Sequence, residues 1–254
     1  MSLRLSGGRR LQSPPPNGAR PTPARVRQAV MNMLAPELPG CSWLDLCCGS
    51  GAMACEALQR GAARVVAVDR DRRHAALARA NLEAVAAGLA SSRGQAPALR
   101  VHHCEALHWL RNSSSAANAN ATANAHSTAN ANATANAYVT ANANATANAS
   151  VTANANATAA GHGTAASDAT ESASSAALTT EGNSFDLIYA DPPYAAGLYE
   201  ALAAAVHQGD WLRAEGQLLL ECGSSLVPPV PENWELVDQR RYGSTTLLRL
   251  KKAL

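Results

Sequence analysis

The sequence predicts an α/β fold: a doubly wound, mostly parallel sheet that ends in a C-terminal antiparallel hairpin. Three observations carry this. Short apolar runs alternate with helical patterns along both halves of the chain, the mark of strand–helix–strand units. A glycine pair, Gly49 and Gly51, separates the first such strand from the next helix, where open α/β sheets take ligands. The chain then closes with two alternating runs that meet near Gly243, the pattern of a hairpin.

The elements follow in order. Thr22 and Pro23 stand as N-cap and first helical position of a helix with Val26, Val30 and Leu34 on one face. Ser42 to Cys47 (SWLDLC) is apolar enough for a buried strand, and after the glycine loop a helix reaches Gly61. Arg64 to Val68 is the second strand, and Arg72 to Ala87 a helix that Gly88 is expected to stop. Leu99 to His102 is a short third strand, with one helical turn from Ala106 to Leu110. Phe185 to Ala190 is the fourth strand, Leu198 to His207 a helix, and Gly216 to Cys222 the fifth strand. Trp234 to Arg241 and Thr245 to Leu250 form the hairpin.

One long segment breaks the pattern. From Ala117 the chain reads ANANATANAHST, ANANATANAYVT, ANANATANASVT and then a degraded fourth copy, a twelve-residue period. Alanine methyl groups bury too little surface to offset an ordering cost of roughly 1–2 kcal/mol per residue, so disorder is expected over 112–184, with a stacked β-solenoid as the alternative. Of the 254 residues, setting these 73 aside leaves 181, the size of one domain. The organisation expected is a basic N-terminal arm and helix over 1–34, a domain over 35–111 and 185–254, and an insertion over 112–184 that takes no part in the chemistry.

Composition narrows the class. Net charge is only +2, yet Arg4, Arg9, Arg10, Arg20, Arg25 and Arg27 all precede the first acid, Glu37. An acid-free basic arm suits contact with phosphates; a solvated terminus rich in arginine is the plainer reading. The six cysteines show no CxxC pair and are expected to be reduced core residues. The seven histidines form no metal constellation, and no metal is expected. Neither a signal-peptide core nor a membrane-spanning apolar run is present, so a cytoplasmic, soluble protein is expected.

Two stretches carry chemistry. In Leu44-Asp-Leu-Cys-Cys-Gly-Ser-Gly51 the glycines let a cofactor approach the backbone, and Asp69 at the end of the next strand suits the two hydroxyls of a ribose. Gly49 to Ala54 also fits G-x-G-x-x-A, so a nicotinamide cofactor stays open on this stretch alone. The second stretch is FDLIYADPPY, Phe185 to Tyr194, where a buried strand delivers Asp191 into a turn stiffened by Pro192 and Pro193 and followed by an aromatic ring. An exocyclic amine on a base is a poor nucleophile because its lone pair is delocalised. A carboxylate and a backbone carbonyl accepting its two N–H groups would favour a geometry that frees the lone pair, with Tyr194 as stacking face.

The D-x-x-x-G-x-G form from Asp45 resembles motif I of the S-adenosylmethionine-dependent methyltransferases, and DPPY resembles motif IV of those that modify planar amino nitrogens. The stretch from Arg20 to Leu34 (RPTPARVRQAVMNML) resembles the signature of the bacterial 16S ribosomal RNA guanine-N2 methyltransferases of the RsmD family. The glycine- and arginine-rich opening, Arg4 to Leu11, and Asp45 to Ala62 (DLCCGSGAMACEALQRGA) are similar to that family too. Two departures stand out: Glu105-Ala106 where the family carries a shorter Asp or Asn before the alanine, and Ala24 in place of an acid.

This resemblance implies a Rossmann-like class I methyltransferase. Asp45, Gly49, Ser50, Gly51, Asp69, Arg70, Glu105 and Ala106 would bind S-adenosylmethionine. Asp191, Pro192, Pro193 and Tyr194 would be catalytic. Arg4, Arg9, Arg10, Arg20, Arg25 and Arg27 would hold RNA. The implied partner is 16S ribosomal RNA or the small ribosomal subunit particle, with no membrane partner and a monomeric enzyme. The alternatives are a DNA adenine-N6 methyltransferase, which also uses DPPY, and a non-catalytic RNA-binding assembly factor.

Overall fold

The computed structural model describes residues 3–13, 22–93, 96–113, 184–193 and 198–253. The repeats lie outside the described residues, as do Arg20 and Tyr194.

Seven strands make one sheet: β1 Ser42–Leu46, β2 Arg64–Asp69, β3 Ala98–His103, β4 Phe185–Ala190, β5 Leu212–Gly223, β6 Trp234–Tyr242 and β7 Thr245–Lys252, in the order β3-β2-β1-β4-β5-β7-β6. The first five run parallel, whereas β7 lies antiparallel to both β5 and β6. The order reverses between β1 and β4, which opens a crevice at their C-terminal ends.

Period-two alternation splits the core. Trp43, Val65, Ala67, Leu187, Tyr189 and Leu219 face one layer, with α1 (Ala24–Met33), α2 (Ala52–Gln59) and α3 (Arg72–Arg93). Leu44, Leu46, Val66, Val68, Ile188 and Leu220 face the other, with α4 (Ala106–Asn112) and α5 (Leu198–Gln208). Trp43 stacks on Tyr189 in the first layer and Trp109 on Trp211 in the second.

Two local expectations are corrected. Pro23, with an extended backbone at ψ 141°, is the N-cap of α1; Thr22 precedes it, and no side chain caps the helix. Gly88 does not stop α3, which runs on to Arg93. A Cβ there would lie 2.1 Å from Nη2 of Arg9, so the glycine admits the N-terminal arm against the helix rather than ending it. That arm is no loose tail: Leu3, Leu5 and Leu11 are buried in the core beside α1–α3.

Candidate active site

The crevice is a cleft of about 820 Å³, within the usual size for a small-molecule site. Strand alternation decides which side chains reach it. Asp45 pairs in register with Tyr189, and Tyr189 with Leu219, so all three share the α1–α3 side of the sheet. Two residues further on along the same face come Asp191, just past β4, and Glu221 on β5. All four polar residues line the cleft.

The loop after β1 is held open by its own backbone. Cys47 takes a positive φ of 64°, uncommon for a residue with a Cβ. Gly49 (φ 54°) has nothing within 4 Å of where a Cβ would stand, so it presents bare backbone to the cleft. Gly51 faces elsewhere: a Cβ there would stand 3.0 Å from that of Ala78, which lets α2 start close against α3. Asp69 Oδ2 accepts from Gly49 N at 2.8 Å, and its Oδ1 accepts from Asp71 N at 2.8 Å. The predicted ribose acid thus also shapes the glycine loop. Arg70 and Ala106 border the cleft; Glu105 does too, with Oε2 accepting from His108 N at 2.8 Å to cap α4.

The electrostatics are one-sided. Asp45 is 1% exposed and Oδ2 accepts from Ala54 N at 3.1 Å; burial, then the nearby Asp191, Asp69 and Glu221, lifts its proton affinity well above the carboxylate range. Asp191 is pushed up to about 6 by burial. Glu221 is pushed up to about 8 by burial and by Asp191, while the donated phenol of Tyr189 opposes the shift. Burial and surrounding acids raise the Cys47 thiol to about 12, which keeps it protonated and out of nucleophilic chemistry. The six cysteines are free thiols, with Cys47 and Cys104 only half-buried.

This arrangement agrees with comparisons to known proteins. The sequence family described as "Conserved hypothetical protein 95" matches residues 5–119 and 127–251. The chain belongs to this family. It is also 25% identical over 237 residues to the ribosomal RNA small subunit methyltransferase D of Escherichia coli, covering 93% of this chain and 81% of that one. Among solved structures, yhhF of Escherichia coli superposes with a TM-score of 0.60 at 22% identity, covering 100% of this chain and 99% of the other. The ribosomal RNA methyltransferase aviRa of Streptomyces viridochromogenes gives 0.52 at 14%, covering 94% and 88%. The fold is therefore that of the Rossmann-like class I methyltransferases, in which S-adenosylmethionine is the general methyl donor. The residues here fit such a donor: a buried carboxylate with a single backbone donor, a bare glycine backbone and an acid at the end of β2 open to one cleft.

Within this family member the predicted arginines part ways. Arg4, Arg10 and Arg25 are exposed, and so is Arg9, which donates to the Ala84 carbonyl at 2.7 Å. Arg27 is not a phosphate ligand: it is 2% exposed, and Nη1 donates to the Thr22 carbonyl at 2.7 Å. Its Nη2 donates to the Arg4 carbonyl at 2.5 Å, and Nε lies 3.8 Å from Glu56. Its spacing from Met31 and Leu34 places it on the apolar face of α1, a signal the charge count hid. Sequence reading also passed over Glu221 and Asn81. Glu221 was visible as the lone acid in the apolar run LLLEC. Asn81 sits three residues after the buried Ala78 on the buried stripe of α3.

Proposed function

We propose that the protein transfers a methyl group from S-adenosylmethionine to the exocyclic N2 amine of a guanine in 16S ribosomal RNA, acting as a monomer in the cytoplasm. The observation that carries this reading is Asp191: a carboxylate followed by two prolines at the C-terminal end of β4, in the same cleft as Asp45 and the glycine loop. The relative named for the small-subunit RNA supports the choice of substrate. The catalytic domain is assigned to 35–111 and 185–254 and the arm to 1–34, with 112–184 outside the chemistry.

Asp45 and the Gly49–Ser50 backbone would hold the methionine end of the donor, Asp69 the ribose, and Arg70, Glu105 and Ala106 the adenine side, while Gly51, predicted with them, packs against Ala78 instead. When bound, the donor supplies an already activated electrophilic methyl group. The chain's part is then positioning more than basicity. Asp191 accepts one N–H of the guanine amine and the Pro192 carbonyl the other, so the nitrogen lone pair points away from both. The buried Pro192 ring fixes the backbone that presents this carbonyl. As the nitrogen gains charge its N–H becomes acidic, and the Asp191 carboxylate is the base in reach. Tyr194 stacks on the base, which is turned out of its helix. Arg4, Arg9, Arg10, Arg20 and Arg25 hold phosphates.

Asp191→Asn tests the reading. Methyl transfer to small-subunit RNA falls by about a hundredfold or more while donor affinity holds. Full activity in the variant sinks the mechanism. Mass spectrometry of the product locates the mark: N6-methyladenine in DNA would replace the substrate, and donor binding with no transfer to any nucleic acid would leave a binding protein.

A further inference from the structure

We propose that the turn after β5 and the tip of the β6–β7 hairpin form a second RNA contact at the mouth of the cleft, resting on the reading of that cleft as a guanine site. Leu226 fills the place that the turned-out guanine leaves, and Arg241 holds a flanking phosphate.

Leu226 is 66% exposed, more than any other large apolar side chain among the described residues, and it lines the same cleft as Asp191. A single exposed leucine is ordinary on a protein surface. This one is held out by its backbone. Leu226 N donates to the Gly223 carbonyl at 3.0 Å, which closes the turn, and Ser224 N donates to the Ser244 carbonyl at 2.8 Å. The Ser224 and Thr246 hydroxyls share a further hydrogen bond at 2.8 Å. Val227 and Val230, both exposed, extend the apolar rim, and Pro228, Pro229 and Pro231 restrict its backbone.

The hairpin brings charge to the same place. Gly223 pairs in register with Thr245, and Thr246 pairs with both Cys222 and Arg241, so the tip stands beside the turn. Ser244 and Thr245 line the cleft. Arg241 is exposed, and its Nε donates to the Gly243 carbonyl at 3.1 Å, which fixes the guanidinium at the tip. Asp238, the nearest acid along β6, is paired with Arg240 at 2.7 Å.

This combination suits a nucleic acid from which one base has been removed. Turning a base out opens a gap in the stack, and apolar side chains enter such gaps because the neighbouring bases offer them only ring faces. A guanidinium beside the gap meets the phosphates that flank it. The apolar rim is continuous with the cleft, so the strand that delivers the guanine has to cross it.

The test uses small-subunit RNA lacking the methyl mark, naked and as assembled particles. Leu226→Ala lowers kcat/KM by about tenfold, with donor affinity and unfolding midpoint at their wild-type values, and Leu226→Met restores most of the rate. Arg241→Gln lowers the slope of log RNA affinity against log salt by about one, whereas Arg241→Lys keeps it. A photocrosslinking benzoylphenylalanine in place of Leu226 marks a nucleotide next to the methylated guanine. Wild-type kinetics in Leu226→Ala, an unchanged slope in Arg241→Gln, or a crosslink to protein or to distant RNA, with Asp191→Asn inactive, each overturn this proposal alone. An active Asp191→Asn, or no transfer by wild type to either substrate, overturns the reading of the cleft itself.

Discussion

The phenol of Tyr189 donates to the Glu221 carboxylate across the β4–β5 ladder, and both side chains are buried in the wall of the cleft. Strand alternation puts them on the same face as Asp45, and Asp191 follows two residues after Tyr189. This wall of the cleft thus brings together three acids, Asp45, Asp191 and Glu221, and a phenol, a concentration of like charge that burial makes costly unless protons are retained.

That cost predicts a pH dependence of stability. Glu221 is raised from 4.5 to about 8, by burial first and Asp191 second. Between those values the folded protein binds more protons than the unfolded chain, so this group's contribution declines as pH rises through the window. Glu221→Gln keeps an acceptor for Tyr189 and deletes the ionisation. The variant should gain on wild type by about 1–3 kcal/mol between pH 5 and pH 8, read from urea unfolding at each pH. A difference that stays flat across this range would count against the assignment.

Asp45 predicts a trade between stability and binding. Its carboxylate is buried with one backbone donor, and burial favours its neutral form. Asp45→Asn keeps an acceptor toward Ala54 and removes the ionisable group. The variant should unfold about 1–2 kcal/mol less readily near pH 7.5, because no buried charge has to be accommodated. Its affinity for S-adenosylmethionine should fall by about tenfold or more, since a charged hydrogen bond is lost. Calorimetric titration and thermal unfolding read the two effects, and movement in the same direction would refute the role.

The fold was legible in the sequence because its signals are local. The SWLDL and FDLIYA runs, the glycine pair and the terminal hairpin each announce their own element within a few residues. The failures share one cause: a residue whose partner is far away in the chain. Gly88 reads as a stop but yields space to Arg9, and Arg27 reads as a phosphate ligand but pairs with Glu56. Asp186 shows the same limit within a single motif. It shares a strand with the residues leading to Asp191, yet it accepts from Ser42 N and pairs with Arg213 at the opposite end of the sheet.

The two loop glycines should separate structure from binding. Gly49→Ala incurs the cost of a positive φ, about 1–2 kcal/mol, and puts its methyl group into the open cleft. Donor binding should be largely lost from a protein that still folds. Gly51→Ala carries the same backbone cost and drives a methyl group to 3.0 Å from Ala78 Cβ and 3.2 Å from its Cα, so about 2–4 kcal/mol of stability should go. Unfolding midpoints beside donor titrations distinguish them, and equal effects on both readouts would contradict this division.

Asn81 gives the last prediction. It is 2% exposed, and Nδ2 donates to the Ser50 carbonyl at 3.0 Å and to the Gln12 carbonyl at 3.1 Å, while Oδ1 accepts from Gln12 N at 2.8 Å. One side chain therefore ties the glycine loop to the N-terminal arm. Asn81→Ala should cost about 2–3 kcal/mol, since lost hydrogen bonds outweigh the gain in helix propensity, and should weaken donor binding by about fivefold through the freed Ser50. Asn81→Asp keeps the acceptor for Gln12 N but sets a buried carboxylate against two carbonyls. Its folded-state proton affinity must rise, so its deficit should be largest near pH 7 and shrink as pH falls, when the carboxyl regains a hydrogen to donate. Urea unfolding of both variants at pH 5 and pH 7 decides it: an aspartate deficit that does not shrink at the lower pH would show that Asn81 is not acting as a donor to these carbonyls.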